Sequence, residues 1–390
     1  MSWRLALRRS AGFVIAMVAA SALQAAEATP ESFEIFQYVA AGKYPPEFAI
    51  ELDNNRELLW ACRSGATREQ LSGAGIRFAE SQIELLIAMR LLARDAEGLL
   101  ITTFPILDPA QAAALRSETA ALADGLMEVI ADDVATLSRR LEAFGLEEHG
   151  YAILHGYILD GMAWSFFEEY RRLEPRVLSP RRPFWSGHLW AMPPRSGFAP
   201  EASRAISKSG MSLRISSSAA SSALVDQVTG DRAGLQRALG QTAEFGKVKD
   251  RELRDELGRF GLVDDTGVWS IPVIDETDRG AIFRSAEAVT TALVDAVLDS
   301  ERVDLAGLRS RHDLRGDQQT LVMVYQELIW ELMERLETAG LVSRPSILES
   351  PRGSAREIAT LAFLVDRRRP QPKRDDVPQS DEPDGRMNLP

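Results

Sequence analysis

A segment near residue 100 returns 167 residues later, and this recurrence constrains the fold more than anything else in the chain. Residues 94–108 read RDAEGLLITTFPILD, and residues 263–275 read VDDTGVWSIPVID. In each copy a short acidic turn ends in Gly (Gly98, Gly267), and an extended apolar run with one Pro closes on Asp. Pro105 and Asp108 fall on Pro272 and Asp275, and farther along Leu122, Leu126 and Ile130 fall on Val289, Leu293 and Val297. The offset then slips by one, placing Tyr157 on Tyr325. A period this long marks a duplicated domain rather than a solenoid repeat. With 390 residues the chain can hold two domains with ordinary cores.

The flanking patterns repeat as well. Residues 57–63 and 67–73 read as helices, with Thr67 as N-cap of the second; Ala74-Gly75 makes a turn. Residues 80–93 carry Ile83, Leu86, Ile87, Met89 and Leu91 at helical spacing, and a strand is expected over 99–107. In the second copy, 232–239 and 250–260 form the helix pair and 262–274 the hairpin. Helix, short helix, turn, helix and hairpin in this order resemble the winged helix-turn-helix fold. The likeness covers only these segments of each half and is one of fold alone.

Each copy is followed by helical sequence: 111–131, 134–144 with Gly145 as C-cap, and 151–173 in the first half, and 320–339 ending at Gly340 in the second. Upstream, Phe33, Phe36, Tyr38 and Val39 suggest a short helix that Tyr44-Pro45-Pro46 breaks. The expected class is mainly α with short β hairpins, as tandem winged-helix-like plus helical-bundle units forming an internal pseudo-dimer. The boundaries are 1–28 (signal peptide), 29–174 (first repeat), 175–228 (connector), 229–345 (second repeat), 346–369 (C-terminal helix or extension) and 370–390 (disordered tail).

The N-terminus reads as an export signal. Arg4, Arg8 and Arg9 precede the apolar run 11–23, and Ala25, Ala26 and Ala28 offer small residues for cleavage. The run is short for a membrane span, and no other segment is apolar enough to cross one. A periplasmic or secreted protein is therefore expected, with no transmembrane span in the mature chain. The formal charge of −12 becomes more negative once those arginines are removed, which works against nucleic acid and anionic lipid as partners.

Chemistry is thinly signposted. The single cysteine, Cys62, can form no intrachain disulfide and reads as a small buried residue. The four histidines, His149, His155, His188 and His312, show no zinc-ligand spacing, so no metal and no cofactor is assigned. No Walker loop, dinucleotide-binding glycine motif or nucleophile elbow is present. Asp160 with Glu168 and Glu169 could be read as paired acids, but they lie two turns apart, and 168–172 reads as a solvated helix end.

The connector is the better candidate. Residues 184–190, FWSGHLW, gather two Trp, one Phe and one His between prolines, with Arg181, Arg182 and Arg195 nearby. Exposed, Trp185, His188, Trp190 and Arg195 would be a platform for a sugar, peptide or aromatic ligand; buried, they would be a plug sealing the halves. Met211, Leu213 and Ile215 alternate like a short strand.

Three functions follow from these features. The first is an exported, non-enzymatic binding or scaffold protein acting by protein–protein contact in the cell envelope. The second is a DNA-binding regulator, if the N-terminal segment is not a cleaved signal. The third is a hydrolase with its site near His188, using Glu168 or Asp160. Glu80 and Glu84 open the first recognition-helix candidate, and acids interleave the lysines and arginines of 247–256, so nucleic acid is disfavoured.

Overall fold

The structure, a computed structural model, describes residues 33–195, 202–218, 220–277, 280–349 and 354–368. The export signal expected at 1–28 and the disordered tail expected at 370–390 lie outside the described residues. The chain runs β1 (Glu34–Ala41), α1 (Pro46–Ile50), α2 (Asn55–Ala61), α3 (Arg68–Gly73), α4 (Glu80–Ala88), β2 (Leu92–Arg94) and β3 (Leu100–Thr102). Then come α5 (Pro109–Ala143), a helix over 150–169 (α6), β4 (Trp185–Met192), β5 (Ala202–Lys208) and β6 (Met211–Ser217). It continues with α7 (Ser222–Gly230), α8 (Arg232–Phe245), α9 (Arg251–Arg259), β7 (Val273–Asp275), α10 (Ala281–Leu298), α11 (Leu305–Arg311), α12 (Asp317–Thr338) and β8 (Ala362–Asp366). Helix outweighs strand in this mixed α/β chain. Among the described residues no helix is long and apolar enough to cross a membrane.

Two compact units emerge, and neither follows the sequence order of the repeats. Among the described residues, one contains 33–125, 167–195 and 297–331; the other contains 126–166 and those of 202–296 and 332–368.

In the first unit, α2, α3 and α4 bury Leu58, Leu59, Leu71, Ile83 and Leu86 in one core with Leu91, Leu100 and Ala191. Thr67 caps α3 as expected: its side chain accepts from the Gln70 N–H (3.2 Å), and Gln70 Oε1 accepts from the Thr67 N–H (2.7 Å). The residues expected to open the chain as a helix form β1 instead. Phe36 and Tyr38 point to one face and Ile35 and Val39 to the other, the period of a strand, and β4 supplies an antiparallel partner along the whole length of β1. The single strand expected over 99–107 is also broken. Only Leu100–Thr102 pairs with β2, and Ile106 leaves to bridge Ala191 in parallel.

The second unit holds a four-stranded sheet in the order β5-β6-β8-β7. The alternation of Met211, Leu213 and Ile215 is that of β6: these side chains are buried, with Leu213 directly across from Leu364 of β8. The hairpin expected over 262–274 reduces to a bridge between Val263 and Trp269, and β7 joins β8. Helix α6 is not regular: Ile153–Met162 is π-helical and its side chains are nearly all buried. The two helices expected over 111–131 and 134–144 are one 35-residue helix, α5, because no Gly or Pro in residues 126–143 interrupts the apolar stripe. Gly145 follows it at φ 68°.

The recurring segments make the same hydrogen bonds. The Asp95 carboxylate accepts from the N–H groups of Glu97 and Leu99, and the Asp264 carboxylate from those of Thr266 and Val268. Gly98 and Gly267 stand at φ 88° and 87°, a conformation that glycine adopts without strain. Pro105 accepts from the Ala191 N–H (2.9 Å), and Pro272 accepts from the Leu364 N–H (2.8 Å). The strand carrying Ala191 therefore stands to its repeat as β8 stands to the other.

Candidate functional site

The connector aromatics belong to β4, and the strand's alternation separates them. Trp185 points toward the α2–α4 core, where its Nε1–H donates to the Met89 carbonyl at 2.5 Å. His188 and Trp190 face the other side. The four sequence candidates thus do not form one platform, and Trp190 is only 1% exposed.

On that second face, Trp190 lies directly across from Phe36 in the β1–β4 ladder, with ring centroids 5.7 Å apart and planes 18° from parallel. Phe36 in turn meets the edge of Trp330 at 5.6 Å. The guanidinium of Arg195 is 5.8 Å from the Trp330 ring. Helix α12 brings Trp330 here, and its residues 319, 323, 327 and 330–331 recur at helical spacing along one stripe. Beside the aromatics this stripe places Glu327, whose Oε2 accepts from Arg116 Nε (3.2 Å) and Arg195 Nε (3.3 Å); Glu331 accepts from Arg195 as well. Arg116 also donates to the carbonyls of Pro193 (2.7 Å) and Pro194 (3.3 Å), which fastens the chain beyond β4. Arg195 is therefore a structural partner of buried acids.

His188 of β4 meets the start of the same stripe at Gln319, in a cleft of about 260 Å³. Its Nδ1 donates to Gln319 Oε1 at 3.3 Å. Burial lowers the imidazole below its ordinary pKa, against the pull of Gln319 and Gln318, so the ring is neutral at physiological pH. Arg182, Ser186, Glu174 and Arg315 also line the cleft. Arg182 reaches Ser186 Oγ at 3.5 Å, and Gln318 Oε1 accepts from the Glu174 N–H at 3.1 Å. Sequence reasoning found His188 but missed Gln318, Gln319 and Glu327. The available signal was a pair of glutamines opening α12 and an acid inside its apolar run.

Gly187 is required where β4 passes this cleft. It adopts φ 133°, and a Cβ there would stand 2.0 Å from the Tyr38 carbonyl oxygen. Gly187→Ala is expected to cost upwards of about 1–3 kcal/mol from backbone strain alone. It should also open the ladder between β1 and β4, which amide exchange of β1 would reveal. Exchange as slow as in wild type would show that the ladder tolerates the methyl group.

The other groups named from sequence are otherwise engaged. Glu168 accepts from the Tyr38 hydroxyl (2.9 Å) and from Arg176 Nε (3.2 Å). Asp160, on the π-helical segment, accepts from Trp164 Nε1 at 3.2 Å. Cys62 is fully buried, and burial pushes its thiol up to about 11. His149 is buried in a 3₁₀ turn, and His155 is 1% exposed. Among the described residues no three His, Cys, Asp or Glu side chains gather as a metal-binding group. No family model, curated protein or solved structure matches the chain.

Proposed function

We propose that this is an exported, non-enzymatic binding protein acting through contact with another protein of the cell envelope. One observation carries the reading: an exposed apolar edge in the first unit. Tyr44 and Phe48 are 42% and 51% exposed, with rings 5.5 Å apart, and Lys43 lies 5.3 Å from the Tyr44 ring. Leu178, itself exposed beside Val177, comes 3.6 Å from where a Cβ on Gly42 would stand. Exposed aromatic and aliphatic groups held together are the usual core of a contact with another protein. The export signal in the sequence sets the compartment of this proposal.

The duplicated segments are read as two winged helices that form an internal pseudo-dimer; the hydrogen bonds shared around Asp95 and Asp264, Pro105 and Pro272 support the duplication itself. Use of these segments for protein rather than DNA agrees with the exposed acids on α4, where Glu80 pairs with Arg68 and Glu84 with Arg94.

The test begins with mass spectrometry of the native protein from fractionated cells. A mature chain starting near residues 26–29 in the periplasm or medium is expected. An intact N-terminus in the cytosol would overturn the proposal and send the winged-helix segments to DNA-binding assays. In the exported form, Tyr44→Ser with Phe48→Ser should abolish a cross-link that wild type makes to one envelope protein, without lowering the melting temperature.

A further inference from the structure

We propose that the His188 cleft is a binding site for a carboxylate group, borne by a peptide C-terminus or by a small organic acid. The cleft is built at the start of α12, a 22-residue helix whose first-turn N–H groups have no partner within the helix itself. Positive partial charge at that end favours an anion.

A second observation points to a ligand. Gln319 is buried to 7% exposure and lines the cleft, yet its Nε2 has no hydrogen-bond partner, while its Oε1 is taken by His188. A buried amide donor left unmade is costly, and an acceptor seated in the cleft would complete it. The cations agree. Arg182 and Arg315 both line the cleft, and neither pairs with a carboxylate among the described residues. Arg315 is fixed in place by donating to the carbonyls of Thr102 and Arg63, which leave its charge uncompensated. The hydroxyl of Ser186 adds a further donor.

Two acids also line the cleft. Asp317 is tied to Arg309 at 2.5 Å, which leaves Glu174 as the free carboxylate. With Nδ1 of His188 donating to Gln319, the other ring nitrogen is an acceptor. Glu174 and His188 therefore suit N–H groups carried next to the ligand's carboxylate, as a peptide terminus carries them. A neutral imidazole hydrogen-bonded to an amide binds; it lacks the paired nucleophile that hydrolysis by His188 would need.

The experiment is calorimetric titration of the full mature chain with three probes: trialanine, trialanine amide and propionate. Saturable binding of trialanine without the amide assigns the site to peptide termini. Binding of propionate as well assigns it to carboxylates in general. Either result supports the proposal if Arg182→Gln and Gln319→Met each weaken binding about tenfold or more, the scale of a lost charge-assisted hydrogen bond. Arg182 is exposed, so its variant should keep the wild-type melting temperature even if Gln319→Met does not. Three results would overturn the proposal: no saturable binding of either carboxylate up to roughly 10 mM, equal binding of the amide, or binding undiminished in Arg182→Gln. None of them bears on export or on the Tyr44–Phe48 edge, so the two proposals fail separately.

Discussion

Trp190→Ala should destabilise the first unit by about 3–5 kcal/mol, the cost of emptying the volume of a large buried aromatic. Trp190 is 1% exposed and fills the space between Phe36 and the elements around it. Phe36, which also meets Trp330, would lose its stacking partner, so the damage should reach β1 as well as β4. Trp190→Phe should behave differently. The indole Nε1 has no hydrogen-bond partner, and an unmade buried donor costs about 1–3 kcal/mol. Phenylalanine removes that donor while keeping most of the ring, so its loss should be far smaller than that of alanine. The two units need not unfold together, so the measurement is amide exchange of β1 and β4 against denaturant rather than one global transition. Equal losses for Ala and Phe would contradict this account of Trp190.

Glu327→Ala is expected to cost a similar amount, about 3–5 kcal/mol, for an electrostatic reason. The Glu327 side chain is 1% exposed and receives Arg116 and Arg195, themselves only 17% and 14% exposed. Its removal leaves two largely buried guanidinium groups that had shared one carboxylate oxygen, with Glu331 still serving Arg195 alone. Glu327→Gln, which keeps an acceptor, should cost less. The pair of variants also carries a pH signature. Burial pushes the Glu327 carboxyl above its ordinary value of 4.5, and the two arginines pull it back only in part. In the window above 4.5 the native protein therefore holds a proton that the unfolded chain has released. Stability contributed by that proton is present at low pH and is lost as pH rises through the raised folded-state value. Glu327→Gln cannot titrate and should lack this component of the slope. A wild-type slope identical to that of Glu327→Gln would place the ionisation of Glu327 in its ordinary range.

The same side chains explain where reading the sequence succeeded. The acidic Gly turns, the Thr67 cap and the stop at Gly340 depend on bonds between residues a few positions apart, and short-range chemistry suffices to specify them. Helix α12 was expected at 320–339 because its apolar stripe is long and periodic. By contrast, β1 was expected to be helical. A run holding Phe33, Phe36, Tyr38 and Val39 is compatible with either period, and its strand form depends on β4, whose partner residues lie about 150 positions away.

The candidate site divides in the same way. His188 stood out in sequence as a lone histidine among aromatics, but its separation from Trp185 follows from the pleat of β4, which exists only once β1 pairs with it. Gln319 and Glu327 look like ordinary polar interruptions of a helix until tertiary packing buries them against that ladder. The sequence by itself determined the local turns and caps and most of the helices, because each arises from a short pattern. Only the tertiary structure decided which aromatics are buried, which acids meet arginines and where the cleft opens. Those outcomes depend on long-range strand pairing, and no local preference carries that information.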